Sequence, residues 1–299
     1  MSDYEIIDVH IHTYQSAKIG LQAMGGEALY GYSGSIEETL GYMKDQGVSK
    51  CVMVNLLPSG DMRDVLMNRL PYGLPDYLGA VKGIDGMLIS RAIRRNEWSC
   101  EVSREHPELI TFITLDLSMD PQTMKNEILD KINNHGAKGI KLHPSAQRFY
   151  PYDRRLWPCY ETAQELGIPI IVHAGELDMF PTQFALPKYY LDALHSFPEL
   201  PLVLAHIARP FWDEAKDMAK RFPNLTFDCT GILHEDFAQI SDEFFVSMVR
   251  EIGVERVMFG TDIPFVDPAP QIERMKRLDL SEEEKRLIFS ENAKRILKI

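Results

Sequence analysis

The 299-residue chain predicts an α/β fold in which eight parallel strands alternate with helices. Three observations predict it. Eight short apolar runs, several rich in Val and Ile, recur from one end of the chain to the other. Helical patterns separate them. Most of the runs are nearly continuous in hydrophobicity, as expected of parallel strands covered on both faces. Eight such alternations predict a single (β/α)8 TIM barrel domain over residues 1–299, because open doubly wound sheets seldom reach this count.

The first strand is Ile6-Ile7-Asp8-Val9-His10-Ile11-His12. Side chains alternate along a strand, which puts His10 and His12 on one face with Asp8 beneath them. Two imidazoles at the end of a buried strand are either a hydrogen-bonded pair or a divalent-metal site. The next strands are 50–56, 109–116, 137–143, 168–173, 201–206, 225–230 and 256–262. Helices are expected over 35–46, 121–135, 153–166, 187–197, 210–222 and 241–252. Gly47, Gly136, Gly167, Pro169 and Pro201 lie just upstream of strands, where helix ends and αβ loops use them. Residues 57–107 form the longest strand-poor interval, read as a lid or insertion after the second strand that becomes helical near Ile84–Arg104. The tail opens with Ser281 and Glu284, a capping box, and continues as an apolar helical stripe.

Composition narrows the functional classes. The chain is 45% hydrophobic and 25% charged, enough for a sizeable core. Its formal charge of −12 and the lack of a basic run argue against nucleic acid or an anionic membrane as partner. The four cysteines are scattered, without a Cys-x-x-Cys pair, which fits a reducing cytoplasm and speaks against a zinc ribbon. No secretory signal or bilayer-length apolar run is visible, so a cytoplasmic location is expected. No glycine-rich nucleotide motif occurs.

Polar residues appear where barrel strands end: His10 and His12, Lys141 and His143, His173, His206, and Asp262. The C-terminal strand ends of a barrel converge on one mouth, where active sites are built. Histidine at four such ends and aspartate at a fifth implies a shared task. The set His10-x-His12, His173, His206 and Asp262 resembles the amidohydrolase superfamily over essentially the whole chain. Gly139-Ile-Lys-Leu-His-Pro144, Ile170-Ile-Val-His-Ala-Gly175, Val203-Leu-Ala-His206 and Phe259-Gly-Thr-Asp262-Ile-Pro264 add to the likeness. They resemble most the amidohydrolase-related branch, which holds hydrolases, lactonases and aminocarboxymuconate-semialdehyde and resorcylate-type decarboxylases.

That resemblance implies that His10, His12, His173 and Asp262 bind one divalent metal, zinc first, with manganese or iron as alternatives. It implies His206 as proton acceptor, with Asp262 able to share that role. A second metal held by a carbamylated Lys141 is the alternative arrangement. Two reactions follow, hydrolysis as the first expectation and decarboxylation as the alternative. One is hydrolysis of a small-molecule amide, lactone or ester by metal-activated water. The other is non-oxidative decarboxylation of an unsaturated or aromatic acid, making the chain a lyase. A non-catalytic binding barrel would not need His206 and Asp262 together.

Substrate is expected to be a small anionic or carbonyl-containing molecule, and Lys141, His143, Arg148, Arg209 and Glu176 are candidates to bind it. Phe149-Tyr-Pro-Tyr152 and Phe180-Pro181 are candidate aromatic walls. His106, His135, His195 and His234 read as ordinary. A homodimer is implied only by the resemblance.

Overall fold

In a computed structural model describing residues 4–176 and 181–299, all eight expected strands are present. They are β1 (Ile6–Ile11), β2 (Val48–Met53), β3 (Leu109–Thr114), β4 (Gly139–Leu142), β5 (Ile170–Val172), β6 (Leu202–Leu204), β7 (Leu225–Asp228) and β8 (Val257–Met258). Each pairs in parallel with its sequence neighbour, from β1 through β8. Backbone bonds from Val9 to Phe259 (3.0 Å) and from Asp262 to His10 (2.9 Å) bring the last strand back to the first. The result is a TIM barrel. Several strands are shorter than their apolar runs, because the residues after them turn into loops that carry the site. β8 keeps only Val257 and Met258 in the ladder.

Side-chain alternation sorts the strand residues into two cores. Ile7, Val9, Val52, Phe112, Ile171, Val203 and Met258 fill the barrel interior, and Ala293, Ile296 and Leu297 of the final helix pack against its base. Ile6, Ile11, Ile140, Leu142, Ile170, Val172, Leu202, Leu204 and Val257 face outward into the layer shared with the helices.

A bulge in β1 corrects the simple alternation. The ladder advances from Asp8 to Ile11 while β2 advances only from Cys51 to Met53, so β1 holds one extra residue. A bulge of this kind shifts the facing of everything beyond it. Asp8 consequently belongs to the outer face, where it accepts a hydrogen bond from Tyr42 Oη (2.9 Å) on helix Ile36–Gln46. It does not lie beneath the two histidines. His10 and His12, past the bulge, enter the barrel mouth.

The interval after β2 contains helix Ser59–Met67 and the 29-residue helix Tyr77–Glu105. The latter is the crossover to β3. From Ile84 onward it buries Ile84, Leu88, Ala92, Asn96, Ser99, Cys100 and Val102, while Tyr77 and Leu78 near its start are exposed. Asn96 ties it to the barrel: its side chain bonds the Thr114 carbonyl (2.9 Å) and accepts from the Thr114 amide (2.8 Å). The capping box at Ser281 and Glu284 forms as its spacing requires. Among the described residues, no helix is long and apolar enough to cross a membrane.

Candidate metal centre and active-site cavity

The barrel mouth opens into a cavity of about 350 Å³. His10, His12, Lys141, His143, His173, His206, Arg209 and Asp262 all line it, so eight of the residues singled out from sequence meet in one place. Arg148 does not. It pairs with Asp61 (2.6 Å) in a separate charged depression beside Arg63 and Asp85. Glu176 is exposed and is not among the cavity-lining residues. Of the aromatic candidates, Phe149 is a buried core residue, and Tyr150 and Tyr152 stack on each other at 5.1 Å, packing with Tyr189. Those three do not line the cavity. Phe180 lies outside the described residues.

His10, His12 and Asp262 place one ligand atom each within 4.8 Å of one another, an arrangement able to hold a metal ion. Asp262 Oδ1 is 3.2 Å from His12 Nε2 and 3.9 Å from His10 Nε2. Burial opposes ionisation of Asp262, but the hydrogen bond from His12 and the charge interactions with His10, His12 and His206 together outweigh it and keep the carboxyl well below its usual range. His173 is not part of this tight group. Its ring stacks on His143, with centroids 4.1 Å apart and planes 5° from parallel. Its Nε2 is buried without a hydrogen-bond partner among the described residues.

Asp228 at the end of β7 organises the opposite side, and the sequence reading passed over it. Its Oδ2 meets His10 Nδ1 at 3.1 Å, and its Oδ1 accepts from the His206 amide at 3.0 Å. A carboxylate only accepts here, so Nδ1 of His10 carries the proton and Nε2 presents its lone pair. Such a carboxylate–histidine pair is the usual outer support of a metal-binding imidazole. Burial and the adjacent Lys141 keep His10 neutral, its pKa pushed down to about 3. Lys141 Nζ sits 3.0 Å from that Nε2. Burial lowers the lysine to about 8.

His206 follows β6 in a tight turn. His206, Ile207 and Ala208 take φ values of 59°, 44° and 51°. The Thr230 carbonyl accepts from His206 Nδ1 (2.9 Å), which leaves Nε2 as the nitrogen able to accept a proton. Gly260, two residues before Asp262, is required by close approach. A Cβ there would fall 2.2 Å from Thr230 Oγ1 and 3.0 Å from the Cβ of His10.

Arg95 was also missed. It projects from the crossover helix into the cavity wall, beside Tyr14. In sequence it is one of several arginines on an amphipathic helix, with nothing local to separate it from Arg91 or Arg94. Asp228 left a clearer signal, a polar residue ending a strand like the others.

An amidohydrolase family model matches residues 7–299. The chain belongs to the amidohydrolase superfamily. Solved structures add the same fold at low identity. A TIM-barrel protein from Bordetella bronchiseptica matches with TM-score 0.74 and 19% identity, over 98% of both chains. The 2,6-dihydroxybenzoate decarboxylase from Rhizobium matches with TM-score 0.71 and 16% identity, over 99% of both chains. The 5-carboxyvanillate decarboxylase from Novosphingobium aromaticivorans, solved with manganese and 4-hydroxy-3-methoxy-5-nitrobenzoic acid, matches with TM-score 0.70 and 16% identity. That match covers 99% of this chain and 97% of the decarboxylase. Within this amidohydrolase, the imidazole–carboxylate donor set and the orphaned Nε2 of His173 fit a divalent transition metal.

Proposed function

We propose that this amidohydrolase is a metal-dependent, non-oxidative decarboxylase of a small unsaturated or aromatic acid. The observation that carries the reading is the cavity's composition. Apart from the histidines and Asp262 of the cluster, Arg95, Arg209 and Lys141 supply positive charge against one further carboxylate, Asp236, and much of the wall is apolar or aromatic, from Tyr14, Tyr30, Leu29, Leu56, Phe237 and Phe265. Flat apolar walls with a few cations suit a planar organic anion. The dihydroxybenzoate and carboxyvanillate decarboxylases that share the fold act on acids of that kind, which supports the assignment.

In this reading His10, His12 and Asp262 hold one metal, zinc or manganese, with His173 Nε2 as a further donor. Bound there, the cation would stabilise negative charge developing on the substrate. The chain's own residues do the rest. The apolar walls hold the ring and limit water. As the carbon–carbon bond to the carboxylate breaks, its electron pair stays on the ring carbon and CO2 leaves. His206, fixed through Nδ1, delivers to that carbon a proton gathered at Nε2. Asp228 holds the His206 backbone and the His10 ring in register for this step.

Hydrolysis of an amide, lactone or ester is the second reading. It is favoured by the His12–Asp262 pair, which keeps a carboxylate ionised at the cluster and able to take a proton from water. The test uses metal-supplemented protein in deuterated water with hydroxybenzoates, aryl lactones and aryl esters. Released CO2 with one deuterium at the vacated ring carbon is the expected result. Turnover of lactones or esters alone, without CO2 from any acid, overturns the decarboxylase assignment in favour of hydrolysis.

A further inference from the structure

The cavity's two guanidiniums lie at different places; neither has a carboxylate partner among the described residues, and Arg95 is the one with a buried nitrogen left unpaired. Arg95 is partly buried, and its Nε is fully buried with no hydrogen-bond acceptor among the described residues. One Nη2 bond goes to the carbonyl of Thr13, the residue directly after His12. The guanidinium carbon lies 5.1 Å from the ring centre of Tyr14 and 5.0 Å from that of Trp98. No carboxylate pairs with it among the described residues. Arg63, Arg148, Arg155, Arg250, Arg256, Arg274 and Arg286 all have one.

A guanidinium has five N–H donors, and this one spends a single bond on protein. Burial lowers its pKa only to about 10, so it remains a cation at neutral pH. A desolvated cation without a counter-charge is costly, and the rings beside it offset only part of that cost. Arg95 lines the cavity, so an anion bound there can supply the counter-charge that the protein does not. Arg209 differs, since it rests on the face of Phe237 at 4.6 Å, on the β6 side of the mouth.

We infer that Arg95 is a carboxylate anchor, and that the substrate is a planar diacid. One acid group is held by Arg95 beside Thr13, while the reacting group lies at the His10–His12–Asp262 cluster. This rests on the proposed decarboxylase reading for the identity of the second group, but the anchor is a binding claim that can fail or stand by itself. Trp98 and Tyr14 keep the guanidinium plane fixed, so the fork meets a carboxylate without a further loss of side-chain freedom.

The test is calorimetric titration of metal-loaded protein with isophthalate, benzoate and benzamide, using wild type, Arg95→Met and Arg95→Lys. Wild type is expected to prefer isophthalate over benzoate. Arg95→Met should lower isophthalate affinity by about tenfold to a hundredfold, the worth of one charge-assisted hydrogen-bonded pair, and leave benzoate affinity unchanged. Arg95→Lys keeps the charge and loses the fork, so its preference should be intermediate. It also serves as the reporting variant if Arg95→Met fails to give a native thermal transition. No preference for isophthalate in wild type, failure of isophthalate to bind included, overturns the anchor. So does a preference that stays at its wild-type size in whichever variant folds. Diacid binding that depends on Arg95, with no CO2 released from any acid, would retain the anchor and defeat the decarboxylase reading instead.

Discussion

The two sides of the barrel mouth differ in how many polar groups the protein itself satisfies. On the β7–β8–β1 side, Asp8 accepts from the His10 and Thr261 amides and from the hydroxyls of Thr261 and Tyr42. Asp228 likewise bonds His10, His206 and Thr230. On the other side, from β5 to the crossover helix, His173 Nε2 and Arg95 Nε have no partner among the described residues. Among the described residues, Thr230 Oγ1 is the one such orphan on the satisfied side. Since buried polar groups are nearly always paired, the first side is a finished scaffold, while the second keeps two buried nitrogens that the protein itself does not pair.

Disrupting the metal cluster should have the largest effect. His12→Ala removes one of three clustered donors, and bound metal measured by elemental analysis should fall to background together with turnover. A variant that keeps full metal would show that the cluster is not the binding site. Asp228→Asn probes the scaffold one step out. It removes the acceptor that sets the His10 tautomer, and metal affinity should drop by about 10- to 100-fold with the fold intact. Competition with a chelator measures it, and an unchanged affinity would demote Asp228 to a packing role.

Tyr42→Phe acts on the outer face alone. Burial pushes the Asp8 carboxyl up to about 7 despite its four donors, so removing one donor should destabilise the chain by about 1–3 kcal/mol in urea unfolding. Metal stoichiometry should not change; a loss of metal would mean that Asp8 supports the cluster directly. The smallest effect is expected far from the mouth. Arg250 forks onto Glu284 at 2.8 and 2.9 Å and, with the Ser281 amide, lowers its pKa from 4.5 to about 2. A carboxyl with a depressed folded pKa contributes stability above its unfolded pKa and loses it as pH falls through the folded value. Arg250→Gln should therefore lose a small part of the stability at neutrality, flatten the profile between pH 4.5 and 2, and converge with wild type at the acid end. Acid titration of the unfolding midpoint reads this directly.

The barrel was legible because its strands are covered on both faces, which turns them into apolar runs that end in visible polar residues. The cavity set from His10 to Asp262 was legible for the same reason, since strand ends converge whatever the loops do. Three things were hidden. The β1 bulge leaves no mark in an apolar string, yet it decides that Asp8 faces Tyr42. Arg95 acts from a helix, where its neighbours in sequence are solvent-facing arginines and its cavity position depends on the helix's tilt. Arg148 erred in the other direction: closeness to a strand-end histidine in sequence did not bring it to the mouth, because its φ of 59° ends a short helix and turns it to Asp61.

The left-handed run at His206, Ile207 and Ala208 carries a consequence for how the protein can change. A non-glycine residue in that conformation costs about 1–2 kcal/mol. The three consecutive ones are sustained by the Asp228 and Thr230 bonds to His206 and by complete burial of Ile207 and Ala208. Glycine at Ala208 would relax the backbone and widen the range of positions open to the imidazole. Relief of backbone strain and a fixed imidazole thus pull this turn in opposite directions.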